Sequence, residues 1–463
     1  MRGFLASSIG VATAAVLALP LVLPTPALAA PATEAAAPVA PGSTQSLPLV
    51  PLGRPAERSG VPGMSTSPRL PETQGLDARE VDTFSLVGVV WDDAGTPLVG
   101  RVQVRTRSAA TGTWSGWQDV ETHNDDHAAD PGTAEGGSRK VRGSTAPLWV
   151  GASDGVEVRV QAEADGKRAA GRLPRGLRIE LVDPGAPDGR PAAPDGKNGA
   201  PRDDEKGELP LLPGMTPEMT ESSSANLPMA PLGANEIPAL DKADSTADAV
   251  LADDTLEQAA RPYIGPRPRI VTRKGWGADE SLREQGFVYT NTVKAAFVHH
   301  TASGNNYACK DAPAVLRSLY RYHVVSNGWR DIGYNFAVDK CGTVYEGRAG
   351  GVAKPVLGAH TMGFNTDSMG IAVIGTFTSA APPAAAVDAV ARLTAWKLGL
   401  FGRDPRGKTT LKSGGGNRYP KGQSVSMNVI SGHRDGFATE CPGKKLYSQL
   451  PPTRTTSAKL QGR

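Results

Sequence analysis

Two proline-rich stretches, at 30–79 and 184–265, limit how this chain can fold because neither shows the apolar periodicity of a packed core. The first is rich in Ala, Pro, Ser and Thr, and we expect it to be disordered. The second has prolines every few residues and predicts an extended linker, with a short helix conceivable at 243–260. The 463 residues should therefore form two separate folded domains, at 80–183 and 266–452, followed by a tail at 453–463.

The first 29 residues have the pattern of a secretory signal peptide. Arg2 precedes an apolar run, and Ala27-Leu28-Ala29 provides a small-x-small cleavage pattern. An uncleaved anchor is the alternative, but Pro20 and Pro24 end the apolar run early. No other stretch is apolar for long enough to cross a bilayer. We expect an exported protein with no membrane span after cleavage.

Residues 80–183 consist of short alternating runs separated by Gly, Asp and Pro. Examples are FSLVGVVW (84–91), RVQVRTR (101–107), GVEVRVQAE (155–163) and LRIELVD (177–183). This pattern predicts an all-β accessory domain, either sandwich-like or a small barrel.

Two features of this segment allow more than one interpretation. Four tryptophans fit packing within the sheet better than a carbohydrate-binding face: Trp91, Trp114, Trp117 and Trp149. His123 and His127 occur in the acidic, Gly-rich sequence HNDDHAADPGTAEGG. A solvated loop is favoured there, and a metal site is the alternative.

Residues 266–452 alternate strand and helix patterns. Strands are predicted at KAAFVHH (294–300), YNFAVD (334–339), TVYEGR (343–348), MGIAVIG (369–375) and NVISGH (428–433). Helices are predicted after Asp311 and after Pro383. This order predicts an α/β domain with a central mixed sheet flanked by helices.

Charge and cysteine content narrow the possible functions. The net charge is +3 and the arginines are dispersed, so nothing indicates a nucleic-acid partner. Three cysteines are present, and an odd number in an exported protein leaves one thiol outside disulfides. That thiol requires another explanation.

Three residues of the α/β domain could form a metal site. His299 ends one predicted strand, His433 follows another, and Cys441 lies in the next loop. Two imidazoles and a thiolate with a fourth position open are a ligand set of catalytic zinc. Spacing alone indicates this weakly, because histidines hydrogen-bonded within a core are common.

Five motifs in this order strengthen the interpretation: FVHHTA (297–302), GWRDIGYNFAVD (328–339), VYEGR (344–348), GAHTMGFNTDSMGIAVIG (358–375) and GHRDGFATECPG (432–443). Together they resemble the peptidoglycan recognition protein and phage-lysozyme-like family of N-acetylmuramoyl-L-alanine amidases. The resemblance covers roughly 265–452 and implies a mixed-sheet α/β fold with a groove that holds one zinc ion.

The resemblance also implies roles for individual residues. His299, His433 and Cys441 fall on the zinc ligands, and Tyr334 falls on the catalytic tyrosine. Thr439 falls where a Thr or Lys helps to position the reacting groups. Members that only recognise peptidoglycan usually lack the cysteine. The residue that serves as general base stays open.

Other residues of the resembling segment are candidates for substrate contact. His360 matches a histidine that lines the groove, and Arg348 and Asn365 suit the acidic stem peptide. For His323, core packing and substrate contact both stay open. With Cys441 assigned to the metal, Cys309 and Cys341 are left, and we predict a disulfide between them, with two buried thiols as the alternative.

The sequence thus predicts a secreted, cell-wall-associated zinc amidase that cuts bacterial peptidoglycan between the glycan and the stem peptide. One alternative is a non-catalytic peptidoglycan-binding protein. Another is a structural wall protein in which zinc only stabilises the fold. The oligomeric state and the ligand of the β domain stay open.

Overall fold

The computed structural model describes residues 42–52, 72–122, 124, 127–163, 172–186, 214–252 and 263–463. The expected signal peptide lies outside these residues. The described residues belong to one compact unit. Within the described chain, no helix has both the length and the apolar character needed to cross a bilayer.

The N-terminal part of the described chain is all-β, as predicted. Its strands are β1 (Ser43–Pro48), β2 (Val50–Pro51), β3 (Thr73–Trp91), β4 (Gly100–Ser108), β5 (Gln118–Val120), β6 (Gly143–Ser144), β7 (Leu148–Ala162) and β8 (Arg178–Asp183). They form one antiparallel sheet in the order β1-β8-β3-β7-β4-β5, with β2 and β6 also paired to β3. Register shifts in the pairing of β3 with β7 mark bulges, which bend a strand. The apolar side chains of this sheet form their own buried cluster.

The prediction of disorder over 30–79 is wrong where the structure describes that segment. Strand β1 pairs with β8 from Ser43↔Asp183 to Pro48↔Arg178, and β3 already begins at Thr73. Composition missed β1 because its six residues are stabilised by backbone hydrogen bonds to a strand far away in the sequence, not by local apolar periodicity.

The C-terminal part contains the predicted mixed sheet. Its strands are β9 (Glu236–Ile237), β10 (Ile270–Val271), β11 (Ala295–His300), β12 (Phe336–Val338), β13 (Val344–Glu346), β14 (Ser368–Val373) and β17 (Ile430–Gly432), in the order β17-β11-β14-β12-β13-β10-β9. Strands β17, β11, β14 and β12 are parallel neighbours. Every residue of β11 and β14 is buried, which explains their continuous rather than alternating apolar pattern.

Helices cover this sheet. They are α1 (Pro217–Ser224), α2 (Lys242–Ala252), α3 (Arg273–Trp276), α4 (Ala312–Arg321), α5 (Ala384–Leu400), α6 (His433–Gly436), α7 (Lys444–Tyr447) and α8 (Leu450–Gln461). A 3₁₀ turn at Cys309–Asp311 precedes α4, and a π-helical turn at Tyr322–Ser326 follows it. A separate hairpin is made of β15 (Lys408–Lys412) and β16 (Ser424–Asn428).

The described part of the expected linker is folded. Strand β9 pairs with β10, Ile237 opposite Ile270, and so extends the sheet. Asn226, after α1, donates to Glu346 Oε1 at 2.8 Å and accepts from the Val352 N–H at 2.9 Å. Helix α2 overlaps the helix considered for 243–260. These elements are held by contacts with the α/β domain, and a proline-rich composition does not reveal such contacts.

The expected tail at 453–463 is also structured, because α8 extends to Gln461. Ser457 Oγ lies 2.7 Å from Thr394 Oγ1 on α5, and the Gln461 amide donates to the Ala395 carbonyl at 2.9 Å. The tail is therefore part of the α/β domain.

The two domains share a hydrophobic cluster, contrary to the expectation of separate domains. Leu86, Val90 and Val182 of the β sheet are buried together with side chains of α4 and its π-helical turn. The Tyr322 hydroxyl donates to the Thr145 carbonyl at 3.0 Å, and Ser326 Oγ donates to Glu180 at 2.9 Å. Burying these apolar side chains against one another favours a fixed arrangement of the two domains.

Candidate metal and substrate site

Two parallel strands bring the predicted metal ligands together. On β11 and β17, Val298 pairs with Gly432, so His299 and His433 follow at the same edge of the sheet. Their Nδ1 atoms are 3.1 Å apart. Cys441 Sγ lies 3.8 Å from His299 Nδ1, and all three side chains are buried.

A fourth donor comes from the β domain. His127 Nε2 lies 3.6 Å from Cys441 Sγ, and the His127 ring centroid lies 4.6 Å from that of His433. Only 6% of His127 is exposed, so the solvated-loop interpretation is wrong for this residue, whereas His123 lies outside the described residues. Spacing could not reveal His127, because it is separated from Cys441 by 314 residues.

The donor set fits zinc. The candidate ligand atoms of His127, His299, His433 and Cys441 lie within 4.8 Å of one another. Zinc bond lengths of 2.0–2.1 Å to nitrogen and 2.3 Å to sulfur place tetrahedral donors about 3.3 Å apart for N–N and about 3.6 Å for N–S. The three measured separations, 3.1, 3.6 and 3.8 Å, are close to these values.

Polar neighbours orient the His299 ring. Its Nε2 lies 3.3 Å from His360 Nδ1 and 3.4 Å from Thr361 Oγ1, which leaves Nδ1 facing the cluster. Burial, together with the neighbouring imidazoles, holds the pKa of His299 well below its ordinary value, so the ring is neutral, as metal binding requires. His360, which we expected to contact substrate, is fully buried behind His299.

Tyr334 and Thr439 both lie at the cluster. The Tyr334 ring centroid is 5.5 Å from that of His299 and 5.8 Å from that of His127. Thr439 Oγ1 accepts from the Cys441 N–H at 3.1 Å and so fixes the backbone that carries the thiol. Glu440 is exposed and paired with Arg434.

His323 lies beside the cluster and inside the core. Its ring lies 4.5 Å from Trp329 and 5.7 Å from Tyr334, and its Nδ1 accepts from the Gly333 N–H at 3.3 Å. Burial lowers the pKa of His323 to about 3. The described contacts of His323 are therefore packing and backbone contacts.

The other two candidate substrate contacts bind the β domain. Glu135 accepts from both terminal nitrogens of Arg348, at 2.8 and 2.9 Å. Asp130 Oδ1 accepts from the Asn365 side-chain amide at 2.6 Å and from the Gly363 N–H at 2.8 Å. Arg348 and Asn365 line one groove together with the Asp130 and Glu135 carboxylates that they hold.

Cys309 and Cys341 form the predicted disulfide, which links the 3₁₀ turn before α4 to the β12–β13 turn. Cys441 is the cysteine outside it. The one thiol that does not form a disulfide is therefore the thiol of the candidate metal site.

The structure defines an α/β domain with a mixed sheet and a histidine and cysteine cluster at one edge. Residues 289–444 match the family described as N-acetylmuramoyl-L-alanine amidase, and residues 31–192 match the family described as Rv3811 N-terminal galactose-binding domain-like. The chain belongs to the peptidoglycan-recognition protein family, as the five motifs predict.

The similar curated proteins are named either peptidoglycan-recognition protein or N-acetylmuramoyl-L-alanine amidase. Peptidoglycan-recognition protein SC2 of Drosophila melanogaster is 30% identical over 183 residues, which is 39% of this chain and 84% of the relative. Human N-acetylmuramoyl-L-alanine amidase is 31% identical over 205 residues, 44% of this chain and 31% of the relative. A solved structure of peptidoglycan recognition protein-LE with tracheal cytotoxin is 28% identical, with a TM-score of 0.32, over 40% of this chain and 92% of that one.

Proposed function

We propose that this chain is an exported zinc-dependent amidase that hydrolyses the amide between the muramic acid lactyl group and the L-alanine of bacterial peptidoglycan. The observation that carries the proposal is the convergence of His299, His433 and Cys441 in one buried cluster beside Tyr334. The amidase names of the matched family and of the human relative support the reaction. The expected signal peptide would place the protein outside the cell, at the wall.

Each residue of the cluster has a distinct task in this proposal. His299, His433 and Cys441 would hold the zinc, which when bound supplies a Lewis acid for the amide carbonyl and lowers the pKa of water. The Tyr334 hydroxyl donates to the carbonyl oxygen as that oxygen gains charge. Thr439 fixes the Cys441 backbone, and His360 fixes the His299 ring.

A second candidate is a peptidoglycan-binding protein without turnover. One observation favours it: His127 brings the number of nitrogen and sulfur donors to four, and a structural zinc site has four protein ligands. The distinction matters because a site closed in this way has no position for water or substrate.

Digestion of purified peptidoglycan separates the two candidates. The mature protein, its His127→Gln variant and its Cys441→Ser variant are compared with zinc and with chelator. New free L-alanine amino groups report amidase activity, and new reducing ends report glycan cleavage. His127→Gln is included because a fourth donor from His127 could block the position that water or substrate needs in the wild type.

An amidase releases amino groups without reducing ends, in the wild type or in His127→Gln. This release disappears with chelator, returns with zinc and is absent in Cys441→Ser. If neither the wild type nor His127→Gln releases amino groups while both still sediment with peptidoglycan, the proposed activity is wrong and the binding function holds.

A further inference from the structure

Residues 127–142 of the β domain, here called the latch segment, lie against the amidase domain along their length. At one end is His127, in the metal cluster. At the other end the Arg142 N–H donates to the Asn327 carbonyl at 3.1 Å. Between them, Asp130 and Glu135 bind the groove. One segment therefore contacts the candidate metal ligands and both candidate groove residues.

The carboxylates of the latch segment are buried and hydrogen-bonded to the amidase domain. Glu135 and Arg348 are each only 7% exposed on their side chains, and Glu135 also accepts from the Arg330 N–H at 3.2 Å. Asp130 is 6% exposed, and Asn365 additionally donates to the Ala128 carbonyl at 2.9 Å. A buried carboxylate without partners would cost several kcal/mol, so these pairings favour one docked position of the segment.

The position of His127 follows from that docking. Asp130, three residues after His127, is held by its hydrogen bonds from Gly363 and Asn365. This keeps the His127 imidazole beside Cys441. The His127 ring then makes contact on three sides: with His433, with His299 at a centroid distance of 5.3 Å, and with Tyr334. His127 thus lies on the side of the cluster that the Tyr334 ring also faces.

We propose that His127 is the fourth protein ligand of the metal, so that docking of the latch segment keeps the amidase site latent. A catalytic zinc keeps one position for water or substrate, whereas four protein ligands close the site. The latch segment also forms one wall of the groove and pairs there with Arg348 and Asn365. The ligand assignment is independent of the reaction, whereas latency rests on the proposed amidase function.

The ligand assignment is tested on the metal itself. Zinc affinity is measured by competition with a chromogenic chelator, and the absorption spectrum of the Co²⁺-loaded protein is recorded. We compare the wild type with His127→Gln, which cannot supply an imidazole, and with Asp119→Asn, which removes an exposed carboxylate of the same domain.

We expect His127→Gln to lose at least about tenfold in zinc affinity, since even partners beyond the ligands contribute 10–100-fold. Its Co²⁺ spectrum should also change, because one imidazole is replaced by solvent. Asp119→Asn should match the wild type. Wild-type affinity and spectrum in His127→Gln would overturn the ligand assignment.

Latency is tested by opening the latch segment without touching a ligand. Glu135→Gln removes the charge that binds Arg348 and leaves all four candidate ligands in place. We expect faster hydrogen exchange in 128–137 and faster zinc loss to chelator than in Asp119→Asn. These two measurements also decide the proposal if His127→Gln does not fold.

Activity completes the test. If about 99 of 100 molecules have the segment docked, turnover is lowered about a hundredfold. Glu135→Gln weakens docking and His127→Gln opens a ligand position, so each should cut peptidoglycan at least about tenfold faster than the wild type. Equal rates in the wild type and both variants would overturn latency. If no protein releases amino groups, the proposed function and the latency both fail, and the zinc and Co²⁺ measurements still decide the ligand assignment.

Discussion

The Glu135–Arg348 pair allows a quantitative prediction. Both side chains are 7% exposed, and two hydrogen bonds of 2.8 and 2.9 Å join them. Removing one partner of such a buried pair leaves the other charge without compensation, which typically costs about 3–5 kcal/mol. Glu135→Gln keeps the shape and one acceptor, so we expect a loss near the lower limit, about 3 kcal/mol, more than a hundredfold in the docking equilibrium.

The assay is a double-mutant cycle of Glu135→Gln and Arg348→Met, followed by denaturant unfolding and by hydrogen exchange in the latch segment. Because the pair is buried, its coupling energy should persist in high salt. The control is the exposed pair Arg101–Asp119, which has similar hydrogen bonds but side chains 56% and 61% exposed. Its coupling should be small and should decline with salt.

The pH dependence adds an independent test. Burial raises the pKa of Glu135, but the Arg348 guanidinium outweighs burial and holds the pKa below its ordinary value of 4.5. The stabilisation is therefore fully present above pH 4.5 and is lost as the pH falls through the lower, folded value. A coupling below about 1 kcal/mol, the range of exposed pairs, would refute the reasoning.

Three further predictions follow. Burial raises the pKa of Glu346 to about 7, so the folded state favours the protonated carboxyl group. The unfolding free energy should therefore fall by on the order of 3 kcal/mol as the pH rises from 4.5 to 7. In denaturant titrations over this pH range, Glu346→Gln should show a smaller fall. Gly88→Ala places a methyl group against the Tyr322 hydroxyl and should cost about 1–3 kcal/mol by denaturant unfolding, whereas Gly116→Ala, with open space around it, should melt like the wild type. Zinc at a concentration about a thousandfold above its dissociation constant should add about 4 kcal/mol to the unfolding free energy. The melting temperature should rise with zinc and fall again with chelator. A melting temperature that does not change with zinc would contradict metal binding by the cluster.

The parts of the fold that sequence reasoning could predict are those with local periodicity. Strand β11 is a continuous apolar run because both of its faces are buried, one in a cluster with α5 and the other in a cluster with the β15–β16 hairpin, and the same run leads to His299 at the sheet edge. His433 follows from the adjacent strand β17 for the same reason. The order of strands and helices was enough to predict the mixed sheet.

The parts that sequence reasoning missed depend on distant partners. Strand β9 has two residues and exists because it pairs with β10. His127 belongs to a loop with no apolar pattern, and only the packing of two domains brings it to Cys441. The burial of Glu135 likewise depends on Arg348. Composition describes such segments as solvated because their stabilising contacts lie in another domain.

Strand β9 also determines where a shortened copy of the α/β domain can begin. Cutting at residue 265, just ahead of the resembling segment, removes Glu236–Ile237 and leaves Ile270–Val271 as the new edge of the sheet. Strand β9 is already the outer strand of the sheet, so such a copy keeps a two-residue edge but loses the backbone pairing of β9 with β10. A shortened copy that keeps the whole sheet therefore begins before Glu236, and one that begins at Thr216 also keeps the cap of α1.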